Sequence, residues 1–346
     1  CGGIAMFLKE LSEARGVSSR EHEVRDLIRE YITPHVDEVF NDSLGNLYGV
    51  KGKDKPGPKV MLAAHMDEVG LMITTIEKNG LLRFQPVGGI DPRVLVSKPV
   101  YIGKDKVVGV IGAKAIHLQR PEERTQVLGF DDLYIDIGAV DDDSAKKLVK
   151  PGDVATFATS FGEMGDLVVG KAFDDRAGCT ALVELTKLEF NCPVYFVFTV
   201  QEEVGLRGAG PAAYRVGPDV CLVLEGTTAS DVAGTDEEGY STTVGAGPAV
   251  SVMDRSVIAH PKVVGRLFRL AEEHGVPIQN KRTITGGTDA GAISLSREGV
   301  PTAPIAVPCR YIHSPVTVMS KSDLEHMIKL VELFVHDIAD KGVDFE

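Results

Sequence analysis

Four apolar runs in the 346-residue chain are each followed by a histidine or an acid, and a fifth segment places two acids where a helix begins. In MLAAHMDEVG (61–70) the run ends at His65-Met66-Asp67. Side chains i and i+2 of a strand share one side, so the Asp67 carboxylate can accept the second N–H of the His65 imidazole, fix its tautomer and strengthen its donation to a metal. Taken alone, such a triplet is more often structural or solvated. KAFDDRAGCTALVEL (171–185) sets Asp174-Asp175 at the mouth of a helix. Acids there cap the first turn and complement its positive end; the competing reading has Asp174 bridge two cations about 3.5–4 Å apart.

FVFTVQEEVGLRGAG (196–210) carries Glu202-Glu203 just past an apolar strand. Successive side chains of extended chain point in opposite directions, so one glutamate can face a metal while its neighbour faces the reacting water. VCLVLEGTTASD (220–231) repeats the arrangement at Glu225, and TAPIAVPCRYIHSP (302–315) ends a run shortly before His313. Singly, these are solvated acids and a loop histidine. Their repetition matters because open α/β sheets bind ligands along the carboxyl edge of their strands.

On that reading His65, Asp174, Glu203, Glu225 and His313 converge as five metal ligands. Two divalent cations bring +4, and Asp174, Glu203, Glu225 and a bridging hydroxide bring about −4, which holds a partly buried cluster near neutrality. Imidazole with carboxylate suits Zn²⁺, Co²⁺ or Mn²⁺ better than Ca²⁺ or Mg²⁺. The lack of a thiolate argues against a structural zinc site.

The elements that must position these residues alternate along the chain. Helical periodicity is clearest over 19–36, with Ser19 as a cap, and over 320–342, which opens on a Ser320-x-x-Asp323 capping pattern. KVMLAA, PVYFVFTV, VCLVLE and APIAVP read as buried strands, and DRAGCTALVELTKL and HPKVVGRLFRLAEEHG as interspersed helices. The fold class expected is α/β: a mostly parallel central sheet with helices on both faces. Residues 69–163 differ, with hairpin signals at Asn79-Gly80 and Gly103-Lys104-Asp105, short β-rich runs and no convincing helix. They are expected to form an inserted small β-barrel-like domain, leaving 1–68 and 164–346 as the main one.

Hydrophobic residues at 43% and charged residues at 25% are ordinary for a soluble globular chain. The net charge of −13, without a sustained basic run, argues against nucleic acid and anionic membrane as partners. Five scattered cysteines without a CxxC pair fit reduced thiols in a cytoplasm. The longest apolar stretches are strand-sized, so neither export nor membrane insertion is expected.

Six motifs, AAHMDEVG, KAFDDRAG, QEEVGLRGA, EGTTASD, GGTDAGAI and YIHSP, occur in this order. Together they resemble the M42 family of metallo-aminopeptidases, which includes glutamyl aminopeptidases and the tetrahedral TET particles, and the resemblance covers nearly the whole chain. It implies a fold of the dinuclear zinc-peptidase type with the β insertion as a dimerisation domain. It also implies that His65, Asp174 and Glu225 hold one metal, that Asp174, Glu203 and His313 hold the other, that Asp67 buttresses His65, and that Glu202 is the general base. A cis peptide at Asp174-Asp175 and assembly into dimers or dodecamers are implied as well. Position 225 is glutamate where several characterised members carry aspartate.

The expected reaction is removal of the N-terminal residue from a peptide through a metal-bridged water, with Glu202 taking its proton and passing it to the departing amine. Coordination of the free α-amine would restrict cutting to chain ends. The alternatives are a related two-metal carboxypeptidase or deacylase, and a noncatalytic peptide-binding assembly, which a missing ligand or base would mark. Arg255 and Asp289 stand unassigned between substrate contact and ordinary surface or turn duty. Residues 117–132 form a long polar stretch, either a solvated loop or one reaching a neighbouring active site. His22, His35, His260, His274, His326 and His336 fall mostly in helical patterns or at their ends and are read as surface or core residues.

Overall fold

The structure, a computed structural model, describes residues 2–344. Its strands are β1 (Glu38–Asn41), β2 (Leu47–Lys51), β3 (Val60–His65), β4 (Gly70–Ile76), β5 (Leu82–Val87), β6 (Pro99–Ile102), β7 (Val107–Ala113), β8 (Leu133–Asp136), β9 (Val154–Phe157), β10 (Gly162–Met164), β11 (Leu167–Gly170), β12 (Val194–Thr199), β13 (Val220–Thr228), β14 (Ala249–Val250), β15 (Gln279–Asn280), β16 (Thr302–Arg310) and β17 (Thr317–Ser320). The helices are α1 (Gly2–Glu13), α2 (His22–Ile32), α3 (Asp142–Lys146), α4 (Phe173–Thr186), α5 (Ala209–Val216), α6 (Pro261–His274), α7 (Ala290–Ser294) and α8 (Lys321–Lys341).

The large sheet runs β1-β2-β12-β3-β13-β16-β17-β11-β10, with β14 and β15 attached beside β16. Its centre, β12-β3-β13-β16, is parallel, and its margins are antiparallel. The parallel strands read as unbroken apolar runs because both of their faces are covered. Val60, Leu62 and Ala64 of β3 join the main core with α1, α4 and α8, while Met61 and Ala63 face a second core built with α5 and α7. β12 and β13 split their side chains in the same way. The result is a layer of helices on each side of the sheet.

After β3 the chain leaves the sheet for a closed six-stranded barrel, β4-β5-β8-β7-β6-β9, filled by its own apolar core. The Asn79-Gly80 turn joins β4 to β5, with Gly80 at φ 84°, and Gly103 at φ 64° opens the turn from β6 to β7. The insertion also contains α3, against the expectation of no helix there. Asp141 caps it by accepting the Ser144 N–H at 2.8 Å, and five residues are too few to show a period.

Two helix starts depart from their sequence signals. α2 begins at His22 rather than Ser19, because Ser19 takes φ 71° and its N–H goes to the Glu21 side chain. Ser320 does precede α8, but its hydroxyl meets Ser322, and Asp323 accepts the N–H groups of Gly245 and Gly247 instead of closing a capping box. Cys179, Cys192, Cys221 and Cys309 are buried and free. Among the described residues no helix is long and apolar enough to cross a membrane.

Candidate metal centre

β3 and β12 end level, with Thr199 of β12 paired to His65, the last residue of β3, while β13 and β16 run on past them. Glu202 and Glu203 follow β12, Glu225 lies within β13, and His313 sits in the turn between β16 and β17 at φ 56°. Asp174 enters from the first turn of α4, where Asp174 and Asp175 leave helical geometry and the peptide joining them is cis. The chain thus brings all five sequence-predicted ligands, and Glu202, to one edge of the sheet.

Asp174 faces two ways. Its Oδ1 lies 3.3 Å from His65 Nε2 and its Oδ2 lies 3.2 Å from His313 Nε2. Glu225 Oε2 completes the first group at 3.4 Å from His65 Nε2, and Glu203 Oε2 completes the second at 3.4 Å from His313 Nε2. Glu202 Oε2 stands further off, 3.9 Å from His65 Nε2. Among the described residues, the groups of histidines and acids close enough to share a cation are all drawn from these six side chains. The other seven histidines lie outside them.

The donors fit divalent cations on two counts. Glu203 Oε1 and Glu225 Oε1 are buried without a hydrogen-bond partner among the described residues, an arrangement that costs free energy unless something else meets the charge. Burial also raises the proton affinity of these acids: Glu203 is pushed up to about 8 despite the opposing charge of His313, and Glu202 and Glu225 are raised too. For Asp174 burial is overcome by hydrogen bonds with His313 and His65, which hold its carboxyl well below the usual range. His313 rises to about 9, since Asp174 and Glu203 outweigh its burial. A cluster this acidic and this dry holds protons tightly, and a dication is the charge that lets every carboxylate ionise.

The supports were only partly visible in the sequence. His65 Nδ1 lies 3.0 Å from the main-chain carbonyl of Asp67 and 3.4 Å from its carboxylate, so the nearer buttress is the peptide. The Asp67 carboxylate instead accepts the N–H groups of Glu202 at 2.9 Å and Glu203 at 3.2 Å and the Ser18 hydroxyl at 2.6 Å. The two readings of Asp174-Asp175 fall on different residues: Asp175 does the capping, accepting the Gly178 N–H at 2.8 Å, and also holds the His65 N–H at 3.1 Å. Below them Glu68 pairs with Lys171 at 2.7 Å and Arg176 at 3.3 Å, both fully buried. Lys171 and Arg176 flank Asp174 in sequence, which was the available signal.

Asp289 is buried and accepts the Thr199 hydroxyl at 2.5 Å, whereas the Arg255 side chain is exposed. Residues 117–132 carry short 3-10 turns and expose Leu118 and Val127. The acids open onto a cavity of about 450 Å³ whose other walls include Leu206, Ser251, Lys281, Thr288 and Ile312.

The family description M42 glutamyl aminopeptidase matches residues 45–330. A lysyl aminopeptidase of Pyrococcus furiosus is 33% identical, the alignment covering 98% of each chain. A TET aminopeptidase from a marine-sediment archaeon of the Thaumarchaeota superposes with a TM-score of 0.94 at 36% identity over 99% of both chains. A TET peptidase of Pyrococcus horikoshii, described as assembling into a tetrahedron or a large octahedral shell, gives 0.86 at 34% identity over 96% of this chain and 99% of its own. This chain belongs to the M42 family of aminopeptidases. It is a peptidase that removes N-terminal residues.

Proposed function

We propose that this aminopeptidase works with two divalent cations, one held by His65, Asp174 and Glu225 and the other by Asp174, Glu203 and His313, with Glu202 as general base. The observation that carries the reading is the placement of Asp174, one oxygen 3.3 Å from His65 Nε2 and the other 3.2 Å from His313 Nε2. Zinc or cobalt suits this donor set best and manganese next. Bound there, the cations supply Lewis acidity to the attacking water and the scissile carbonyl.

The protein's own groups do the rest. His65 donates Nδ1–H to the Asp67 carbonyl, which leaves the Nε2 lone pair facing the acids. Glu202 takes the proton of the attacking water and returns it to the departing amine. Burial raises its affinity for that proton, which suits the task. Asp67 holds the main chain of both glutamates, so base and ligand keep a fixed separation.

Peptides with a free N-terminus are the substrates. Residues 1–68 and 164–346 form the catalytic domain, and the β domain, 69–163, pairs subunits into a homo-oligomer. The buried free thiols suit a cytoplasmic setting. The test takes chelated enzyme, restores Zn²⁺, Co²⁺ or Mn²⁺, and compares aminoacyl-anilides with N-acylated amino acids. Cleavage of the anilides alone, at two metal equivalents per subunit, is the expected outcome. Equal cleavage of the acylated compounds would move the protein to the deacylases, and full activity after chelation would refute the metal reading.

A further inference from the structure

The turn between α1 and α2 has no part in the chemistry above, yet it places a buried acid against the catalytic loop. Glu21 is 5% exposed; burial and the charge of Asp67 weigh on its carboxylate, and main-chain N–H groups oppose them. A buried carboxyl is costly and does nothing for packing that an apolar side chain would not do better. Its hydrogen bonds show where it acts. Glu21 Oε1 accepts the Ser19 N–H at 2.7 Å and, across the fold, the Gln201 N–H at 3.2 Å.

Gln201 immediately precedes Glu202-Glu203 and takes φ 58°. A non-glycine residue in the left-handed region costs about 1–3 kcal/mol and stays there only where its surroundings over-determine it. The next two amides are held as well, by Asp67 at 2.9 and 3.2 Å, and Ser18 braces Asp67 from the same turn at 2.6 Å. Three successive N–H groups therefore rest on two carboxyls, and the Ser18–Glu21 turn supplies one and steadies the other.

We propose that Glu21 is a positioning residue for the Glu202-Glu203 pair, holding Gln201 in its left-handed conformation and thereby setting the direction in which base and ligand leave the main chain. The inference rests on the reading of Glu202 as the base. Reach matters here and charge does not: any acceptor oxygen at the present position of Oε1 serves.

The test compares Glu21→Gln with Glu21→Asp in the metal-loaded full-length enzyme. Glutamine keeps an acceptor oxygen in place, whereas aspartate keeps the charge and withdraws it by about 1.5 Å, one carbon–carbon bond. Glu21→Gln should hold kcat within about threefold of the parent, while Glu21→Asp should lose about ten- to hundredfold in kcat with KM nearly unchanged and both metal equivalents retained. Amide hydrogen exchange over 198–207 should quicken in Glu21→Asp alone. An unchanged kcat in Glu21→Asp, or an equal loss in both variants, overturns the proposal. If Glu202→Gln proves fully active, the reading beneath it falls; if Glu202→Gln is inactive and Glu21→Asp is not, only the role of Glu21 falls.

Discussion

Replacing Glu202 with glutamine isolates the proton acceptor from everything else the residue does. The substitution preserves volume, so no cavity opens, and it leaves the 2.9 Å bond from the Glu202 N–H to Asp67 untouched. Nor should it strip the cations: Glu202 Oε2 stands 3.9 Å from His65 Nε2, while the Asp174 and Glu225 oxygens are at 3.3 and 3.4 Å. What disappears is general base catalysis, about 10²- to 10⁴-fold in kcat, or about 2.7–5.5 kcal/mol of transition-state stabilisation at 1.36 kcal/mol per tenfold. The assay is kcat on an aminoacyl-anilide together with elemental analysis of the same sample. A kcat within about threefold of the parent, metals intact, would remove Glu202 from the mechanism. A loss of activity accompanied by loss of one metal equivalent would make it a ligand instead.

Asp67→Asn tests the shared anchor. The amide can accept one of the two main-chain N–H groups but leaves the other facing an NH₂, a cost of about 1–3 kcal/mol for the orphaned donor. A lower thermal midpoint and a kcat reduced by at least about tenfold are expected, and an unchanged midpoint would contradict the geometry. Glu21 carries a pH signature. Burial, then the charge of Asp67, raises its pKa from 4.5 to about 7, so the folded chain holds this proton more tightly than the unfolded one. Its contribution to stability is therefore complete below about pH 4.5 and lost as pH rises through about 7. The midpoint of Glu21→Gln relative to the parent should rise between pH 5 and pH 7.5, and a constant difference would refute the shift.

The ligands were legible because β3, β12 and β13 are buried on both faces, which makes each an uninterrupted apolar run whose charged end stands out. The antiparallel margins are shorter and partly exposed, as in β1 and β10, and gave no such contrast. The supports around the site were harder to see. Ser18 and Glu21 look like a serine-rich prelude to an amphipathic helix, and their partners, Asp67 and Gln201, are 49 and 180 residues away. The start of α2 was displaced locally, by the left-handed Ser19 and its N–H bond to Glu21. Ser320 and Asp323 illustrate the opposite case, a correct local motif overruled because a distant glycine loop offered Asp323 better donors.

Because Asp174 turns one oxygen to each histidine, two cations held as proposed would share it, and the two halves of the centre would not fill independently. With one site loaded, the Asp174 carboxylate would already be oriented for the other, and that part of the ordering entropy would be spent. Linkage makes the effect mutual, so loading should be cooperative and withdrawal of either ion should loosen the other. Partial starvation for metal would then divide a population of subunits into empty and full rather than leaving them uniformly half-charged.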